Sequence, residues 1–140
     1  MSNLPISSTF VIQNSLLASK LAKRVDGQLS AHGISFTEYV IMHHLSNSPL
    51  KTMRRIELAE HVGITASGIT RLISPMEKIG IVEKEANPRD ARQSLVKLSK
   101  TGQRLYGEAS VSFEHCASSL TGSLSENQLE KMVELSARLL

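Results

Sequence analysis

The sequence predicts a mainly α-helical chain with one small β hairpin, and three observations predict it. Apolar residues recur at helical spacing through most of the chain. Between Arg54 and Gly80 two such stretches meet at a short turn: Ile56, Leu58, Ala59 and Val62 stripe the first, Gly63 supplies the positive φ that ends it, and Thr65 caps the second. Directly afterwards the pattern turns strand-like, with residues 81–85 and 94–98 flanking the turn-rich tip 86–93. Two helices at a tight turn followed by a hairpin make a winged helix-turn-helix, expected over residues 35–100. An N-terminal dimerisation arm (1–34) and C-terminal dimerisation helices (101–140) flank it.

Composition narrows the class. An apolar fraction of 41% without low-complexity runs is that of a globular chain, and no apolar stretch approaches the roughly 20 residues that cross a bilayer. The first residues lack the basic-then-apolar layout of a secretory signal, and one cysteine cannot form an internal disulfide. A cytoplasmic location without membrane association is expected. The net charge of +3 is unevenly spread: Lys51 to Arg104 holds 11 Lys/Arg against 6 Asp/Glu, and the remainder 5 against 7. Positive charge gathers around the helix-turn-helix, as a footprint for phosphates requires, although a merely solvated basic face has the same composition. The serines lack a phased base and an oxyanion motif, and there is no glycine-rich phosphate loop, so neither an enzyme nor a cofactor is expected.

Taken in order, residues 1–9 are polar and read as loosely ordered. From Phe10 to about Leu29, the residues Phe10, Leu17, Leu21 and Val25 recur close to the helical period, Ala18, Ala22 and Leu29 widen the stripe, and His32-Gly33 ends it. One helix cannot bury such a stripe alone, which leaves the C-terminal segments or a second subunit to cover it. The next helix opens on the capping box Ser35-Phe36-Thr37-Glu38, with Ile34 and Tyr39 spaced as a hydrophobic staple, and stops at Asn47-Ser48-Pro49. Lys51 to Met53 reads as a short strand.

The helix-turn-helix opens unusually. Arg54-Arg55 places two cations at a helix N-terminus, against the macrodipole by roughly 0.3–1 kcal/mol each, where Ser, Thr or Asp is ordinary. A nearby phosphate backbone accounts for them; tolerance at an exposed end is the alternative. Ile64 and Ile69 staple the second helix across its Thr65 cap. A rigid unit of this kind can present the start of its second helix to the DNA major groove. Pro75 removes the bond to the Arg71 carbonyl, worth about 3 kcal/mol in a regular helix, and predicts a kink or an early end near Ser74. The polar hairpin tip leaves Arg89 and Arg92 projecting. An arginine on such an arm suits the narrow, electronegative minor groove beside a major-groove helix, and Asp90 stands where it can hold the Arg92 guanidinium. A flexible charged tip is the alternative.

Ser99 caps a helix striped by Leu105, Ala109, Phe113, Cys116 and Leu120 and broken by Thr121-Gly122. Ser125-Glu126-Asn127-Gln128 is another capping box, stapled by Leu124 and Leu129. The last helix shows Leu129, Met132, Val133 and Leu140 on one side and the i,i+4 pair Glu134/Arg138 outside. Three striped arms beyond a complete winged domain point to dimerisation, against an ordinary intramolecular core.

These residues resemble the MarR family of bacterial winged-helix regulators. The resemblance is carried by Glu57-Leu58-Ala59-Glu60, the turn through Gly63, Thr70-Arg71-Leu72, Met76-Glu77-Lys78-Ile79-Gly80-Ile81-Val82, Pro88-Arg89-Asp90-Ala91-Arg92 and Val96-Lys97-Leu98-Ser99-Lys100-Thr101-Gly102. It spans about residues 35 to 104; the arms agree in helical layout rather than in motif. It implies a homodimeric, triangular transcriptional regulator, expected to repress, whose terminal helices interleave and whose winged domains grip a pseudo-palindromic operator in double-stranded DNA. By that similarity Ser67, Thr70 and Arg71 meet bases and phosphates, and Arg92 enters the minor groove with Asp90 in support. With Arg54, Arg55, Thr65 and Arg89 they complete the expected DNA-binding set. Two departures stand out: Arg54 replaces the small capping hydroxyl of many relatives, and Pro75 replaces a residue that can donate, one turn after Arg71.

The resemblance also implies a small phenolic or lipophilic effector between the dimer helices and the winged domain. Tyr39, His43 and His44 are the nearest polar groups, with packing as their other role. His43, His44, Glu38, His115 and Cys116 invite comparison with zinc-sensing relatives. A structural zinc site wants four ligands at defined spacing, and neither His-x-x-x-His nor Cys-x-x-Cys occurs, so no metal is expected. Peroxide-sensing relatives carry a reactive cysteine in the first helix, whereas Cys116 lies in an apolar stripe, where a buried inert thiol is ordinary. A winged-helix protein-interaction module and a metal- or redox-sensing regulator of the same family are the competing readings.

Overall fold

A computed structural model describes residues 3–140. Helix α1 (Ile6–Leu29) starts directly after its N-cap Pro5. The expectation of loose order up to residue 9 is therefore corrected from Ile6 onward; residues 1 and 2 lie outside the described residues. The reason is local: Ile6 stands one turn before Phe10 and carries the apolar stripe back to the proline. A 3-10 turn (Ser30–His32) ends at Gly33, whose φ of 75° needs a glycine. Helix α2 (Phe36–Ser46) opens on the expected capping box: the Ser35 hydroxyl accepts from Glu38 N at 3.1 Å and the Glu38 carboxylate from Ser35 N at 2.8 Å.

Between α2 and strand β1 (Thr52–Arg54), Leu50 and Lys51 both take left-handed φ values, 57° and 59°. Lys51 Nζ donating to Ser46 O at 2.6 Å helps hold this strained turn. Helices α3 (Arg55–Val62) and α4 (Ala66–Lys78) follow, then strands β2 (Val82–Ala86) and β3 (Ser94–Leu98). The sheet is antiparallel in the order β1-β3-β2, pairing Arg54 with Leu95 and Ala86 with Ser94. Helices α5 (Lys100–Leu120) and α6 (Glu126–Ala137) complete the chain, and α6 opens on the expected Ser125/Gln128 capping box.

The core lies under the winged domain. Leu29, Ile41, Met42, Leu45, Leu58, Ile69, Ile73, Met76 and Leu98 are all fully buried there. At roughly 1.5–3 kcal/mol per large apolar side chain, this cluster dominates the stability. Two sequence expectations are corrected here. Ile56 is 55% exposed rather than part of the stripe; two residues from Leu58 it stands on nearly the opposite face of a short helix. Helix α4 runs through Pro75 and does not end at Ser74. Pro75 sits on the exposed side, where water can take the freed Arg71 carbonyl, while Ile73 and Met76 anchor the helix on either side of it.

The junction of wing and α5 is tight. Ser99 is buried, its N–H donates to Ile81 O at 3.0 Å, and its hydroxyl accepts from Gly102 N at 2.9 Å. The same hydroxyl lies within donating distance of the Gly80 and Ile81 carbonyls, at 2.6 and 2.9 Å. Gly102 packs so closely that a Cβ there would collide with the Ile81 carbonyl oxygen and sit 2.7 Å from Leu98 Cδ1.

The arms contrast with this core. No residue of α6 is buried, and in α1 only Val25 and Leu29 are. Leu17, Leu21, Leu120, Leu129, Met132 and Val133 line an open apolar cleft of about 580 Å³ between α1 and α6. Glu134 and Arg138 pair at 3.1 Å, as the spacing predicts.

Candidate nucleic-acid interface

Gly63, at φ 79°, turns the chain between α3 and α4, and both Gly63 N and Ile64 N donate to Ala59 O, at 2.9 and 3.1 Å. The Thr65 hydroxyl then accepts from Gly68 N at 3.0 Å and starts α4. Ile69, Ile73 and Met76 are fully buried at i, i+4 and i+7, which fixes the roll of α4 about its axis. The opposite stripe is therefore forced outward: Ser67, Thr70, Arg71, Ser74 and Lys78 are all exposed. Thr70 Oγ1 donates to Ala66 O at 3.2 Å, and the Ser67 and Thr65 hydroxyls lie 3.1 Å apart, so both side chains are oriented yet keep free lone pairs. Arg71 makes no ion pair among the described residues. Ser74 and Lys78 were not singled out from the sequence, although they continue the 67/71 stripe at helical spacing.

The two opening arginines part company. Arg54 is exposed, and Glu57 Oε1 accepts from its Nε at 2.9 Å and its N–H at 3.3 Å, so the carboxylate supplies the cap that the arginine cannot. Hydrogen bonding from Arg54 holds the Glu57 carboxyl below its ordinary range, against a smaller opposing effect of burial. Arg55 turns inward instead, pairing Nη2 with Glu77 Oε1 at 3.2 Å near the end of α4, with Nη1 buried and unpartnered. It ties the two helices together rather than standing free for a phosphate.

In the wing, the Asn87 and Asp90 carboxamide and carboxylate oxygens each accept a backbone N–H two residues on, from Arg89 and Arg92, both at 3.0 Å. Asp90 Oδ1 also lies 3.5 Å from Arg92 Nε, while the Arg92 side chain is 93% exposed. The tip is thus a built turn that holds an arginine out. Because Arg54 pairs with Leu95 across the sheet, the start of α3 meets the wing base. Arg54, Glu57, Asn87, Arg89, Asp90 and Gln93 line one groove of about 490 Å³ there.

Tyr39, His43 and His44 lie elsewhere, on α2 against α5 and α3. Tyr39 is buried, its hydroxyl 2.8 Å from Ser110 Oγ and its ring stacked on Phe113 and Tyr106 at 4.6 and 5.2 Å. Burial pushes its pKa up to about 12. His43 Nδ1 lies 2.9 Å from the Tyr106 hydroxyl. The His44 pKa is lowered, first by burial and then by His43 and His61. Tyr39 is engaged in packing, whereas His43 is exposed and His44 half-buried. Glu38 is spent on its cap, and Cys116 is buried with Sγ 3.9 Å from Arg24 O. Among the described residues no group of three or more His, Cys, Asp or Glu is arranged to hold a metal ion, and no helix is long and apolar enough to cross a membrane.

Residues 34–94, the segment that builds this surface, match the MarR family model. Over those residues the chain is similar to the MarR family. Its fold is similar to that of a MarR family transcriptional regulator from Streptomyces coelicolor in complex with DNA, at a TM-score of 0.86 and 23% identity over 97% of this chain and 87% of that one. It is similar also to a MarR mutant from E. coli complexed with operator DNA (TM-score 0.85, 19% identity, 94% of each chain). A MarR family regulator from Rhodococcus sp. RHA1 gives a TM-score of 0.89 at 16% identity, over 98% of this chain and 96% of that one. The winged helix expected from the MarR-like motifs is the fold observed, and the likeness extends over the arms that the motifs did not reach.

Proposed function

We propose that this chain is a transcriptional regulator of the MarR family that binds a pseudo-palindromic operator as a homodimer and acts as a repressor. Each α4 would enter the major groove with Ser67, Thr70 and Arg71, and each wing would place Arg92 in the adjacent minor groove. The observation that carries this reading is the pairing of an exposed outward stripe on α4 with an arginine 93% exposed on a wing tip braced by Asp90. Arg54 and Arg89, gathered in one groove at the wing base, are suited to the flanking phosphates. Arg55 joins the expected set only through its hold on Glu77.

The dimer rests on the arms. Phe10 is 48% exposed, Leu17 42%, Met132 45% and Leu139 71%, an apolar surface that a second copy would cover. Tyr39 is a poor place for a lipophilic effector, because its hydroxyl and ring faces are already engaged.

The test is selection of bound duplexes from a random pool, followed by affinity at several salt concentrations. The expected winner is an inverted repeat with half-sites about one helical turn apart and a log–log salt slope set by several phosphate contacts. Weak binding without an enriched sequence would refute the reading and favour a protein-interaction module.

A further inference from the structure

The His44 ring lies 5.3 Å from that of His43 and 5.0 Å from that of His61. The three imidazoles therefore run as a chain from the last turn of α2 to the last turn of α3, just before the Gly63 turn. We propose that His43, His44 and His61 form a proton-operated catch between α2 and the helix-turn-helix, closed while the rings are neutral and released in acid.

The charges around the catch favour this behaviour. Burial first, then His43 on its own helix and His61 on α3, disfavours the charged form of His44, and no carboxylate is among its influences. His43 faces Asn47 and, from α5, the Tyr106 hydroxyl. His61 influences Glu57 one turn earlier, but that carboxylate is already paired with Arg54 at 2.9 Å. Rings 5.0 and 5.3 Å apart repel once two carry charge. The sign follows from His44, whose pKa is lowered in the closed state. Closure is fully favoured above the ordinary histidine value of 6.5 and is lost as pH falls below it. When α3 loosens from α2, α4 moves with it through the Arg55–Glu77 tie. On the proposed DNA-binding reading, operator affinity then falls in acid, whereas added positive charge alone would raise it.

Hydrogen exchange of the free full-length chain tests the catch without DNA. Protection in α3 and α4 is compared at about pH 7.5 and about pH 5.5 between wild type and the non-titrating double variant His44→Gln, His61→Gln. In wild type, acid should cut protection in α3 and α4 at least about tenfold more than in the variant, the equivalent of one pKa unit of coupling, with α5 unchanged. Equal losses in both proteins, or a loss spread evenly over the chain, would overturn the proposal. Should the variant not fold, imidazole proton titrations of wild type decide: coupled, non-ideal curves for the three rings support the catch, and three independent curves refute it. Failure to bind any operator at either pH would count against the proposed function alone, because the exchange readout needs no DNA.

Discussion

Replacing Gly102 by alanine adds one methyl group at the wing–α5 junction. That Cβ would collide with the Ile81 carbonyl oxygen, 2.7 Å from Leu98 Cδ1. The carbonyl cannot step aside freely, because it accepts from Ser99 N at 3.0 Å and lies 2.9 Å from the Ser99 hydroxyl. Overpacking of this kind costs about 1–3 kcal/mol, and weakening those contacts adds about 1–2 kcal/mol. Against this, alanine gains about 1 kcal/mol over glycine within a helix. The net loss is therefore about 1–4 kcal/mol, or a fall in Tm of roughly 3–14 °C for a chain of this size. Gly107, on the same helix with nothing within 4 Å of its would-be Cβ, is the control, and alanine there should stabilise. Thermal unfolding of both variants at one fixed protein concentration measures the pair. A Gly102→Ala protein as stable as wild type would refute the close-packing argument.

Arg92→Ala should leave folding and subunit association unchanged and weaken operator binding by about 1–3 kcal/mol; unchanged affinity in a titration with the selected duplex would remove the wing from the site. Met132→Glu places a carboxylate beside the cleft of α1 and α6, and on the proposed dimer should raise the dissociation constant at least about 100-fold. Sedimentation showing an unaltered dimer would exclude that face. Tyr39, with its pKa at about 12, should remain protonated in an ultraviolet titration at pH 11. Its raised value makes the neutral phenol the folded form, so its stabilisation is present below the ordinary value of 10.0 and lost as pH rises toward 12. Tyr39→Phe should abolish that alkaline loss of stability, and an unchanged alkaline unfolding profile would refute the assignment.

The legible parts of this chain were those governed by local chemistry. The caps at Ser35, Thr65, Ser99 and Ser125 and the turns at Gly33 and Gly63 satisfy or terminate their own few residues, so sequence neighbours reveal them. The two-residue spacing of Asp90 and Arg92 likewise carries their geometry. Pro75 does not end α4 because two buried neighbours on the other face, Ile73 and Met76, outweigh its local penalty. The Arg55–Glu77 tie and the His44–His61 contact join residues far apart in the chain, and no local spacing announces either. Ile56 misled through a period read too generously over a helix of only 8 residues.

The Ser99–Gly102 junction makes α5 a lever. Its 21 residues give an arm about 30 Å long at about 1.5 Å per residue. The end nearest the wing is bonded to Gly80 and Ile81, the residues that close the turn after α4. A tilt of α5 by about 10° about its far end displaces that junction by about 5 Å, more than the roughly 3.4 Å rise of one base pair. On the proposed DNA-binding reading, small angular changes where α5 meets the arms would be geared into base-pair-sized shifts of α4, and the glycine that permits the close joint removes the slack that would absorb them.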